Sequence, residues 1–128
     1  MTTDKKQIYI VDDDESVCRA LKSLLMTFDF EVRAFNSAKE FFNNVSIEDP
    51  GCLVLDIHMS GMDGWETQRR ILASGSKRPV IFVSAAKENV SERALEVGAV
   101  GFLQKPFDGQ TLVDLINRAS DNLSKSQK

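Results

Sequence analysis

Three short apolar runs constrain this chain most: Ile8–Val11, Cys52–Leu55 and Val80–Val83. Each is unbroken by a polar residue, which suits a strand buried on both faces, as in a parallel sheet. Segments of helical period lie between them. Val17, Ala20, Leu21, Leu24, Leu25 and Phe28 fall at offsets of 3, 4, 7, 8 and 11, a single helix face. Ser37-Ala38-Lys39-Glu40 fits a capping box, with Phe41, Phe42 and Val45 as the face of the helix it opens. Trp65, Ile71 and Leu72 mark a third helix that Gly75 ends. A fourth spans roughly 87–97, with Val90, Ala94 and Val97 on one face and Gly98 as a left-handed cap. Leu112, Leu115, Ile116, Ala119 and Leu123 stripe a fifth.

Two weaker strands, Val32–Phe35 and Val100–Leu103, complete five alternations of strand and helix. Such alternation implies right-handed crossovers and a parallel sheet covered by helices on both faces. The continuously apolar strands 1, 3 and 4 belong in the middle, and strands 2 and 5 at the edges. The expected fold is α/β, a doubly wound five-stranded parallel sheet of order 2-1-3-4-5, with a crevice between strands 1 and 3.

Composition narrows the function. At 128 residues the chain makes one domain, with residues 1–6 and 123–128 as polar tails around a domain at 7–122. A net charge of −3 and a pI of 5.2 argue against a nucleic-acid surface. No apolar run approaches the roughly 20 residues that span a bilayer, so no membrane association is expected. The N-terminal MTTDKKQ holds no apolar signal region. Cys18 and Cys52 have neither metal nor redox spacing and read as small buried hydrophobes in a reducing cytoplasm.

The chemistry sits where strands stop. Strand 1 runs into Asp12, Asp13 and Asp14, strand 3 into Asp56, strand 4 into Ser84, and strand 5 leads to Lys105. In a parallel sheet these ends share one edge, so distant residues converge. Two unit charges about 4 Å apart at an effective dielectric of about 20 interact by roughly 4 kcal/mol. One lysine cannot balance three such carboxylates, but a divalent cation can. Hard oxygen donors favour magnesium over zinc, with manganese as the alternative. Magnesium keeps several waters and takes one or two carboxylates, which leaves room for a phosphoryl oxygen. Ionised Asp56 beside such a cation and Lys105 is suited to accept a phosphoryl group as nucleophile. Asp14 is more simply a helix cap than a ligand.

At this point the chain resembles the receiver domains of two-component response regulators. IVDDDESV, LVLDIHMSGMDG, VIFVSA and GAVGFLQKPF carry the resemblance, in that order and at the family's separations, over residues 7 to about 121. It implies a flavodoxin-like (βα)5 fold. It implies Asp56 as phosphoacceptor, Asp13 as a direct magnesium ligand, Asp12 as its neighbour acting through water, and the His58 backbone carbonyl as a further ligand. It implies that Ser84 contacts the phosphoryl group, Phe102 is the switch aromatic, Lys105 pairs with the phosphoryl oxygens, and the Lys105–Pro106 bond is cis. The donor would be a sensor histidine kinase or phosphotransfer protein. The switched face would be helix 4, strand 5 and helix 5, where a dimer is also accommodated. Such a domain is not an enzyme but a phosphoacceptor that promotes its own phosphorylation and dephosphorylation. The output would be a protein target or an output domain absent from these 128 residues.

One departure is visible: Ser60 stands where the family commonly has proline. His58 invites a metal or phosphohistidine role, which its loop setting disfavours. Trp65 reads as core or pocket rim. Leu95 is either a lone exposed residue or part of a partner surface. Two other function classes compete with this reading. A haloacid-dehalogenase-like phosphatase also uses an aspartate nucleophile, and Asp12-Asp13-Asp14 superficially offers its Asp-x-Asp, but Glu15-Ser16 does not continue that motif. A phosphorylation-independent binding module would not need the acids, Ser84 and Lys105 together.

Overall fold

In a computed structural model, residues 5–85 and 90–126 are described, the last seven of these by their backbone alone. Five strands alternate with five helices: β1 (Gln7–Val11), α1 (Glu15–Thr27), β2 (Glu31–Phe35), α2 (Ala38–Asn44), β3 (Cys52–Asp56), α3 (Gly64–Ala73), β4 (Val80–Ser84), α4 (Ser91–Glu96), β5 (Gly101–Gln104) and α5 (Gly109–Ser126). The sheet is parallel, with order β2-β1-β3-β4-β5, as the apolar patterning predicts. β3 and β4 are buried along their whole length, because helices cover both of their faces.

The two faces hold separate cores. On one, Ile8, Ile10, Val54, Ile81 and Val83 pack with Leu21 and Leu25 of α1 and Leu112 and Ile116 of α5. On the other, Tyr9, Val11, Leu53, Leu55 and Phe82 meet Phe41 of α2, Ile71 of α3 and Ala94 of α4. The alternation of side chains along each strand makes this division. Burying such side chains stabilises the fold by about 1.5–3 kcal/mol each before entropy is counted.

Local signals set the element ends. Asp14 caps α1, its carboxylate accepting from the N–H groups of Ser16 and Val17. Ser37 Oγ accepts the Glu40 N–H, as the capping box requires. The Glu40 carboxylate reaches back one residue further than the motif predicts, to the Asn36 N–H. Gly98 ends α4 with φ +87°, a conformation costly for any side chain.

Two expectations need correction, and two others lie outside the described residues. Ala20 and Phe28 are exposed, because α1 stops at Thr27 and its stripe is narrower than the offsets suggest. The last strand starts one residue later than Val100, which is exposed. Described α4 starts at Ser91; the expected start near 87 and the expected core residue Leu123 lie outside the described residues.

Two close approaches fix the turn after β3. The Gly64 N–H donates to the Ile57 carbonyl at 2.8 Å. A Cβ on Gly64 would stand 2.6 Å from the Asp56 carbonyl oxygen and 2.7 Å from Ile57 Cα, so only glycine lets α3 start this near the strand end. Among the described residues, no helix is long and apolar enough to cross a membrane.

Candidate functional site at the strand ends

The carboxyl edge of the sheet gathers the acids predicted from sequence. One carboxylate oxygen each from Asp12, Asp13 and Asp56 lies within 4.8 Å of the others. Asp12 follows β1 directly and is held by its own N–H, which donates to the Phe35 carbonyl at 3.1 Å. Its side chain is buried, with Oδ1 accepting the Asp14 N–H at 2.9 Å and Oδ2 accepting Lys105 Nζ at 2.8 Å. Asp56 ends β3 and is 5% exposed. Lys105 Nζ lies 3.8 Å from Asp56 Oδ1. The lysine therefore bonds one acid and neighbours the second, as a single cation among three anions must. A cis peptide joins Lys105 to Pro106.

Burial pushes the Asp56 carboxyl up to about 6, and the negative charge of Asp12 adds to that rise. Lys105 and a hydrogen bond from the His58 backbone N–H act the other way. The His58 side chain is exposed. Asp13 is exposed too, and its Oδ2 accepts both the N–H and the hydroxyl of Ser60, at 3.0 and 3.1 Å. Sequence reasoning treated Ser60 only as a missing proline. The signal it passed over is that serine brings two donors where proline brings none.

Ser84 is fully buried at the end of β4, and its carbonyl accepts the Lys105 N–H at 2.7 Å. Asp56 pairs with Val83 in the sheet register, so Ser84 stands one residue beyond the acid on the neighbouring strand. Phe102 is half-buried on β5 opposite Phe82 in register. Trp65 lies at the rim: its ring packs on Phe82 at 4.9 Å between centroids, and the Arg93 guanidinium sits 4.0 Å above it. Leu95 is 62% exposed on α4. Burial raises the thiols of Cys18 to about 11 and of Cys52 to about 12, so neither is a nucleophile at neutral pH.

The donor set is carboxylate oxygen throughout, hard ligands at close range, and it fits magnesium better than a thiolate-seeking or imidazole-seeking ion. Asp12 has both oxygens engaged in hydrogen bonds, and Asp13 is the exposed member of the set.

Comparison with known proteins agrees with the fold. The family profile of the response regulator receiver domain matches residues 8–117. Response regulator protein TmoT of Ectopseudomonas mendocina is 37% identical over 100% of this chain and 58% of its own length. Response regulator protein TodT of Pseudomonas putida is 38% identical over 94% of this chain and 53% of its own. The chain thus spans little more than half of these relatives. Among solved structures, the response regulator StyR superposes with TM-score 0.87 at 38% identity, covering 96% of this chain and 63% of that one. The crystal structure of FixJ-N gives TM-score 0.85 at 30% identity, covering 93% and 96%. With a buried aspartate at the end of its third strand, two more acids beside it and a lysine from the fifth-strand loop, this chain belongs to the response regulator receiver domains, the signalling modules of two-component systems.

Proposed function

We propose that Asp56 accepts a phosphoryl group from a phosphohistidine of a sensor histidine kinase or phosphotransfer protein. An Asp56 carboxylate oxygen attacks phosphorus, the P–N bond breaks, its electron pair stays on the imidazole nitrogen, and an acyl phosphate forms. The nucleophile must be ionised, and above about pH 6 it is. Asp13, Asp56 and the His58 backbone carbonyl would hold magnesium, with Asp12 acting through water; manganese would serve in its place. Bound magnesium supplies positive charge against the phosphoryl oxygens. Lys105 supplies the second positive charge. The same constellation serves dephosphorylation, in which water attacks phosphorus, the bond from phosphorus to the Asp56 oxygen breaks, and the free carboxylate and inorganic phosphate result.

The new charge then competes with Asp12 for Lys105, since both lie within reach of the same ammonium group. Ser84 is the hydroxyl that turns to the phosphoryl group, and Phe102 follows it inward. The face formed by α4, β5 and α5 changes population as a result. That face would contact the output domain or protein target, or a second copy of the domain. We assign this activity to residues 7–122, working in the cytoplasm.

One observation carries the proposal: Asp56 is a buried acid with two carboxylates within 4.8 Å and one ammonium group at 3.8 Å. Intact mass after exposure to a small acyl phosphate tests it. Wild type should gain one phosphoryl group with magnesium and none without. Equal labelling of Asp56→Asn would sink the assignment.

A further inference from the structure

We infer that Ser60 is a positioning residue for Asp13 and strengthens divalent-cation binding at this site. The inference rests on the metal reading of Asp12, Asp13 and Asp56. It goes beyond that reading because Ser60 departs from the residue this family commonly carries there.

Asp12 and Asp56 are buried and held by the fold. Asp13 is the exposed member of the cluster, on a chain segment that has just left β1. An exposed aspartate samples several rotamers, and fixing one on cation binding costs side-chain entropy. Ser60 reduces that cost. Its backbone N–H and its Oγ both donate to Asp13 Oδ2, from across the cleft in the loop after β3. Both bonds fall on one oxygen, which leaves Oδ1 outside the grip of Ser60. Asp13 already offers an oxygen within 4.8 Å of ligand atoms on Asp12 and Asp56. The carboxylate is thus held in ligand range before a cation arrives.

Hydrogen bonds from outside the ligand sphere orient ligating groups and typically change metal affinity by about 10–100-fold. The Ser60 contacts are exposed, so the lower end applies. A proline at position 60 has no N–H and no hydroxyl, and it would supply neither bond.

Binding of Mn2+ to the unphosphorylated protein tests this, read from the loss of the free-ion paramagnetic resonance signal. Ser60→Ala keeps the N–H and removes the hydroxyl, and should weaken binding about three- to tenfold. Ser60→Thr restores the hydroxyl and should bind within about twofold of wild type on the same reasoning. Ser60→Pro removes both donors and should bind no better than Ser60→Ala. Thermal unfolding without metal should be nearly the same for all four proteins, which separates positioning from folding. Mn2+ binding by Ser60→Ala that equals or exceeds wild type overturns the inference. Asp13→Asn separates the two readings. If it loses the ion while Ser60→Ala keeps wild-type affinity, only the role of Ser60 fails. If it too binds like wild type, the metal reading fails with it.

Discussion

The two flanks of the cleft are built to different standards. On one side, α1 runs 13 residues from a cap that makes two hydrogen bonds, and β1 beside it is buried from Ile8 to Val11. On the other, described α4 has six residues and no side-chain cap bond, and β5 has no fully buried residue. The first flank carries Asp12 and Asp13, which follow β1 directly. The second carries Phe102 and the α4 surface, which the proposed switch would move. Local stability follows buried apolar contact and satisfied backbone groups, so the α1–β1 flank is expected to open less readily than the α4–β5 flank.

Paired substitutions across the β4–β5 boundary test the looseness of the second flank against the central sheet, with the largest effect. Phe82 and Phe102 are register neighbours, one fully buried and the other half-buried. Phe82→Ala should cost about 3–5 kcal/mol in urea unfolding, as for other large core truncations. Phe102→Ala should cost about 1–2 kcal/mol, since part of its ring is already wet. Equal costs would remove the difference in burial between β4 and its edge neighbour β5.

The acid cluster itself gives the next effect. Asp56 holds its proton more tightly folded than unfolded, because burial raises it from 3.8 to about 6. Its contribution to stability is therefore full below about pH 4 and is lost as pH rises through 6. Asp56→Asn should be more stable than wild type by about 1–3 kcal/mol at pH 7.5 without metal, and the gap should close below pH 4. A gap that widens on acidification would reverse the sign. The smallest effect is at the caps. Asp14→Ala should cost about 1 kcal/mol through loss of its two bonds to the start of α1. Hydrogen exchange should then show α1 amides slower than those of α4 in wild type, and the difference narrowed in the variant.

Much of this was readable in the residues themselves. Cys52–Leu55 and Val80–Val83 announce central strands because a stretch buried on both faces needs no alternation. The convergence of Asp12, Asp56 and Lys105 follows from strand order alone, since parallel strands end on one edge. The extent of α1's buried face was less legible. Ala20 and Phe28 obey the helical period, yet whether such a position is covered depends on where the neighbouring elements lie. The role of Ser60 was hidden for a different reason. Its partner Asp13 is 47 residues away, and a hydrogen bond between two loops leaves no periodic trace.

Gly64 carries a consequence for how such a site can change over time. With no side chain, it lies against the backbone of Asp56 and Ile57 and ties itself to the latter. Asp63 beside it is committed as the cap of α3. What remains between these anchors, residues 58–62, is a handle clamped at both roots. Substitutions at its exposed positions, such as Ser60, leave the scaffold intact, whereas a methyl group at its base would wedge β3 out of place.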